Sequence, residues 1–136
     1  MPPPDGDVYF NQAGVAKVTW DSEHAMVLVE WEGWADETEF AALLEAGVRA
    51  LIDHGGTRWL ADCRRERVLS TASSARADAE WLPRAAGVGL KRFAVVLPES
   101  GLAATNLRAR EATLSTRLDV AYFATPEEAL EWLDRP

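Results

Sequence analysis

Cys63 is the only cysteine in 136 residues, and His24 and His54 are the only histidines. A disulfide framework needs paired thiols and a structural zinc site needs several Cys or His ligands, so neither is expected, and no metal or cofactor is called for. Basic residues are also scarce. Fourteen Lys and Arg against 22 Asp and Glu leave a formal charge of −8, which would repel the phosphates of nucleic acid. No segment approaches the roughly 18 consecutive apolar residues of a membrane span, and the start MPPPDGD lacks the basic and apolar regions of an export signal. A cytoplasmic protein without stable membrane insertion is the expectation. No G-x-S-x-G, Walker-type or G-x-G-x-x-G word occurs, and GVGL at 87–90 precedes a strand with no helix after it to cradle phosphate.

What is present is ordinary globular material. Apolar residues make up 48% and charged residues 26%, and the length suits a single domain. Residues 1–7 read as a loose tail and 8–136 as one α/β domain. Val15 to Trp20 and Ala25 to Glu32 are β-rich, joined by the polar Asp21-Ser22-Glu23-His24; Val27, Val29 and Trp31 fall on one face by period two. Asp36 and Glu39 form a capping box ahead of a helix whose apolar stripe is Phe40, Leu43, Leu44, Val48, Leu51 and Ile52. Gly47 lies within that stripe. Glycine costs a helix about 1 kcal/mol against alanine, so a close approach to the sheet is the expected compensation.

Further along, Thr57 to Ala61 and Lys91 to Leu97 read as strands, the second containing FAVVL, an unbroken apolar run suited to a strand covered on both faces. Ala75 to Leu82 predicts a helix that breaks at Pro83, which lacks an N–H. Residues 102–114 are helix-prone. Asp119 to Ala124 predicts a last strand, and Thr125-Pro126-Glu127-Glu128 is a strong helix start. The order is three strands, then four helices alternating with three strands. It implies a mixed, mainly parallel β-sheet with an N-terminal antiparallel region and about four flanking helices.

That order, with the words VLVEWEGW (27–34), RWLADCR (58–64), Asp78-x-x-Trp81 followed by Pro83, GLKRFAVVLP (89–98) and FATPEEALEWL (123–133), resembles the STAS-like family of bacterial proteins. The family is related in fold to anti-sigma-factor antagonists and to the lipid-binding half of CRAL-TRIO domains. The resemblance implies a non-enzymatic regulatory or protein-interaction module. The antagonists carry a phosphorylatable Ser or Thr at a helix start after a strand ending in aspartate. Here Asp62 occupies the matching strand end and Ser73-Ser74 stand ahead of the next helix, without the glycine of the D-S-S-G-like word and after a longer loop.

Ligands of open α/β sheets bind beyond the carboxyl ends of parallel strands. This rule gathers Trp34, Asp62, Cys63, Arg64 and the Pro98-Glu99-Ser100 turn at one rim. Arg64, Arg65 and Arg67 read first as a solvated loop with Glu66 as partner, and second as a patch able to hold a phosphate or carboxylate. Asp62 reads as a loop-satisfying carboxylate or as a ligand contact. Ser70, Thr71, Ser73 and Ser74 are helix-capping hydroxyls or phosphorylation targets. Cys63 has no base in reach, since His24 belongs to a distant hairpin and His54 to a helix C-terminus, so an enzyme is not expected.

Of the six tryptophans, Trp20, Trp31, Trp59 and Trp132 are expected in the core. Trp34 and Trp81 lie near element ends, where they pack or border a crevice shared with Cys63. Two functions follow: a protein-binding module using residues 62–74 and the first helix, or a carrier of a small apolar or anionic, lipid-like ligand. Glu30, Glu32, Asp36, Glu37, Glu39 and Glu45 have no basic residue among them in sequence, which predicts a basic partner face.

Overall fold

The computed structural model describes residues 7–65, 71–99 and 101–135. Arg67, Ser70 and Ser100 lie outside them. The chain forms six strands in sequential spatial order: β1 (Val8–Gln12), β2 (Ala16–Asp21), β3 (Met26–Trp31), β4 (Arg58–Asp62), β5 (Arg92–Val96) and β6 (Asp119–Phe123). β1 to β3 are antiparallel neighbours, and β3 to β6 are parallel. The helices are α1 (Glu37–His54), α2 (Thr71–Gly87), α3 (Gly101–Arg108), the single turn α4 (Glu111–Leu114) and α5 (Pro126–Leu133).

Each parallel step needs a crossover helix, and the alternation of faces along the strands shows where those helices dock. Val27, Val29, Trp59, Phe93 and Val95 point into the larger core with Leu43, Leu51, Trp81 and Leu114. The intervening Met26, Leu60, Ala94 and Val96 pack on Ala129 and Leu133 of α5 on the opposite face. β5 is therefore covered on both sides, as its unbroken apolar run implies. α5 contacts β4, β5 and β6.

The helix starts follow their sequence signals. Asp36 accepts the Glu39 N–H at 2.7 Å while the Glu39 carboxylate accepts the Asp36 N–H at 3.0 Å. Thr125 caps α5 by accepting from Glu128, with Pro126 in the first turn. Gly55 ends α1 in the left-handed region at φ 62°, a conformation that costs glycine no Cβ clash. Trp20, Trp31 and Trp59 are buried, whereas Trp132 is half-buried against Phe123.

Two segments differ from expectation. α2 starts at Thr71 and runs unbroken through Pro83 to Gly87. Trp81 and Leu82 before the proline and Ala85 after it are all buried, while Pro83 itself is exposed; continuous packing of that face outweighs the lost hydrogen bond. Ser73 and Ser74 consequently belong to the first turn of α2 and do not precede it. Residues 102–114 divide into α3 and α4 around Arg110, whose side chain is drawn to Asp78.

Candidate functional site

The rim at the carboxyl ends of the parallel strands is polar and concave. Lys17, Glu30 and Asp62 are register neighbours across β2, β3 and β4. With Trp31, Glu32, Arg64 and Arg65 they line a depression of about 490 Å³ holding three cations and three carboxylates. Asp62 is largely committed to Arg64: its Oδ1 accepts from the Arg64 backbone N–H at 3.2 Å and from Nε at 3.0 Å, and its Oδ2 accepts from an Arg64 η-nitrogen at 2.8 Å. The same contact, through its hydrogen bonds and then its charge, raises the Arg64 guanidinium above its ordinary value. Arg65 is exposed and Lys17 half-buried, and neither makes an ion pair among the described residues.

Cys63 sits directly behind this rim. Its N–H donates to Val96 at 2.9 Å and its side chain is buried, so the thiol faces the core. Trp34, two residues past Glu32 in the β3–α1 connection, is 52% exposed. His24 is occupied with Asp21 at 3.1 Å in the β2–β3 turn. His54 stacks on Trp20 and contacts Asp7 at 3.0 Å. Neither histidine reaches Cys63 with the geometry of a nucleophile and base.

Trp81 lies elsewhere. It is 5% exposed and packs edge-on to Trp59 and Phe93, so it does not share a crevice with Trp34 and Cys63. It lines a second depression, of about 430 Å³, between α1 and α2, whose other walls include Ala41, Ala42, Leu44 and Ala77. The small side chains leave this groove open, and the Arg84–Glu45 pair borders it. The buried Trp81 Nε1–H has no hydrogen-bond partner among the described residues. Such a donor costs about 1–3 kcal/mol when left unmade.

The acidic first helix is less bare than its sequence implies. Glu37 pairs with Arg76 and Glu45 with Arg84, both from α2, while Asp36 and Glu39 satisfy each other in the capping box. Glu32 accepts the Gly14 N–H at 3.1 Å. For Glu37 and Glu45 the basic complement comes from within the chain, because α2 runs alongside α1 in the same direction and brings Arg76 and Arg84 beside residues 39 positions earlier. Lys17 and the alanine-walled groove are the site features that sequence reasoning overlooked. Lys17 becomes visible only when the β2–β3 register sets it opposite Glu30.

A family model describing SpoIIAA-like proteins matches residues 26–134. The chain belongs to the SpoIIAA-like family. A solved structure of an uncharacterized protein with a SpoIIAA-like fold from Shewanella loihica PV-4 aligns with a TM-score of 0.59 at 21% identity, over 91% of this chain and 97% of that one. At that identity the likeness concerns the fold. No curated protein matches the sequence. The SpoIIAA-like match begins at Met26, so the β1–β2 hairpin precedes the matched region. Among the described residues, no helix is long and apolar enough to cross a membrane, and no cluster of three or more His, Cys, Asp or Glu could hold a metal ion.

Proposed function

We propose that this SpoIIAA-like chain is a non-enzymatic, cytoplasmic regulatory module of the STAS type that binds a protein partner at the strand-end rim. The observation that carries the reading is a depression in which Arg65 and Lys17 have no ion pair among the described residues, together with an exposed Trp34 in the connection that follows its wall residue Glu32. Exposed tryptophan and arginine are the residue types that dominate protein interfaces when truncated. The partner surface that fits is mixed in charge, with a carboxylate for Arg65 or Lys17 and an apolar pocket for the indole. Ser73 and Ser74, in the first turn of α2, are the positions at which phosphorylation would regulate it, since a helix N-terminus favours added negative charge.

Affinity capture with the wild-type chain, with Trp34→Ala and with Arg65→Glu tests this reading. The expected result is a stoichiometric protein retained by the wild type and lost by both variants. Identical retention by all three would remove the rim from the interaction. A parallel comparison of the Ser73→Ala, Ser74→Ala double variant after kinase treatment tests the switch, and unchanged partner affinity would eliminate it.

A second reading rests on the alanine-walled α1–α2 groove that Trp81 helps to line: a small, largely apolar ligand fits it. Native mass spectrometry of freshly purified protein separates the two readings. A co-purified small molecule favours the groove; a clean mass together with a captured protein favours the rim.

A further inference from the structure

The two borders of the sheet are unlike. β1 carries a register shift between Val8 and Phe10, an irregularity of the kind that discourages strand addition. β6 has no such defence: its sequence DVAYF contains no proline or lysine, and its pairing with β5 is regular throughout. The direction of its backbone groups follows from two observed bonds. The Asp119 N–H donates to Lys91 at 2.8 Å and the Phe123 carbonyl accepts from Leu97 at 2.9 Å, so residues 119, 121 and 123 turn toward β5. By alternation, the N–H and C=O of Val120 and Tyr122 turn outward, and no hydrogen bond engages them among the described residues.

We propose that a second copy of this chain docks here, β6 against β6 in antiparallel register, with the two-fold axis at Ala121. Val120 of one copy then stands opposite Tyr122 of the other, and each such pair exchanges two N–H···O bonds, which uses all eight outward groups in four bonds. The close, non-hydrogen-bonded position on the axis is filled by alanine, the smallest side chain of the strand. No other register satisfies the whole set with a small residue at the axis.

The flanking surface suits the same arrangement. A depression of about 540 Å³ runs beside Asp119, Val120 and Ala121, with Trp132 and Arg135 of the α5 end on its wall. The two-fold places both α5 helices on one face, antiparallel and about 14 Å apart, three strand spacings. Trp132 and Phe123 from each copy occupy the space between them. Glu127 and Glu128 at the start of one α5 come alongside Arg135 at the end of the other, and the helix dipoles oppose. A foreign extended peptide would satisfy the backbone groups equally but would lack this end-to-end charge match.

Sedimentation equilibrium over a concentration series, joined to amide exchange on the wild-type protein, tests the proposal. The expected results are a mass rising from one chain to two and a concentration-dependent slowing of exchange at the Val120 and Tyr122 amides. Val120→Pro removes two of the four bonds without touching the β5 ladder, and should weaken association about ten- to a hundredfold while circular dichroism is unchanged. Ala121→Lys, which sets two cations on the axis, should do the same if the proline variant folds poorly. A chain that stays monomeric throughout, or a dimer whose Val120 and Tyr122 amides exchange at the monomer's rate, overturns the proposal.

Discussion

Gly47 of α1 rests directly on the Trp59 ring of β4. A methyl group built on Gly47 would lie 2.9 Å from Cζ2 of that ring and closer still to Cη2 and Cζ3. The glycine's cost to the helix is thus the condition for seating an indole between α1 and the sheet. Gly47→Ala gains about 1 kcal/mol of helix propensity, yet it must displace a buried tryptophan, and overpacking of this kind costs about 1–3 kcal/mol or more. A net loss of stability in urea denaturation is expected, relieved when Trp59→Leu is added. Additive losses in the double variant would show that the ring does not set the requirement.

Asp78 is 1% exposed and receives two hydrogen bonds from Arg110, at 2.6 and 2.7 Å, tying α2 to the residue ahead of α4. The Arg110 guanidinium also lies 5.6 Å from the centre of the Phe40 ring. Truncating one member of a buried pair strands the other charge, so Arg110→Ala should cost about 3–5 kcal/mol. Asp78→Leu with Arg110→Leu should cost clearly less than the two single changes summed, as read from a denaturation double-mutant cycle.

Pro83 interrupts the hydrogen-bond ladder of α2 on its exposed side. Pro83→Ala should restore the missing bond and stabilise the protein by about 2 kcal/mol, the interior proline penalty less the benefit of a stiffer unfolded chain. A lower denaturation midpoint would indicate that the ring makes contacts worth more than the bond.

Burial, and next the nearby Glu111 carboxylate, pushes the Tyr122 phenol from 10.0 up to about 12, against the opposing pull of Arg110 and Arg108. The folded state therefore holds this proton over a range in which the unfolded chain has released it. The associated stability is complete below pH 10 and is lost as pH rises from about 10 to about 12. Tyr9, raised by burial and by its bond to Asp53, acts in the same direction. Stability measured against pH should fall across this alkaline window, less steeply in Tyr122→Phe.

Much of the fold was legible because local chemistry and tertiary packing agree. The Asp36–Glu39 box, the Thr125-Pro126 start and the FAVVL strand each lie where their signals place them. Pro83 misled because its local cost was weighed without the burial of Trp81, Leu82 and Ala85 around it. The rim was partly legible: Asp62 at a strand end follows from topology, whereas its closure by Arg64 depends on loop geometry. The position of Trp81 behind an alanine-walled groove depends on how α1 and α2 cross, which no short stretch of sequence encodes.

β4 has a paired strand on either side and helices over both faces, and Asp62 terminates it. The backbone beneath the rim is therefore held from both sides and both faces, so adjustment to the proposed partner would fall to the solvent-facing side chains of Trp34 and Arg65. The proposed recognition there would then proceed close to lock-and-key, with little ordering entropy spent in the backbone and with affinity differences between partners expressed chiefly as lifetimes of the complex.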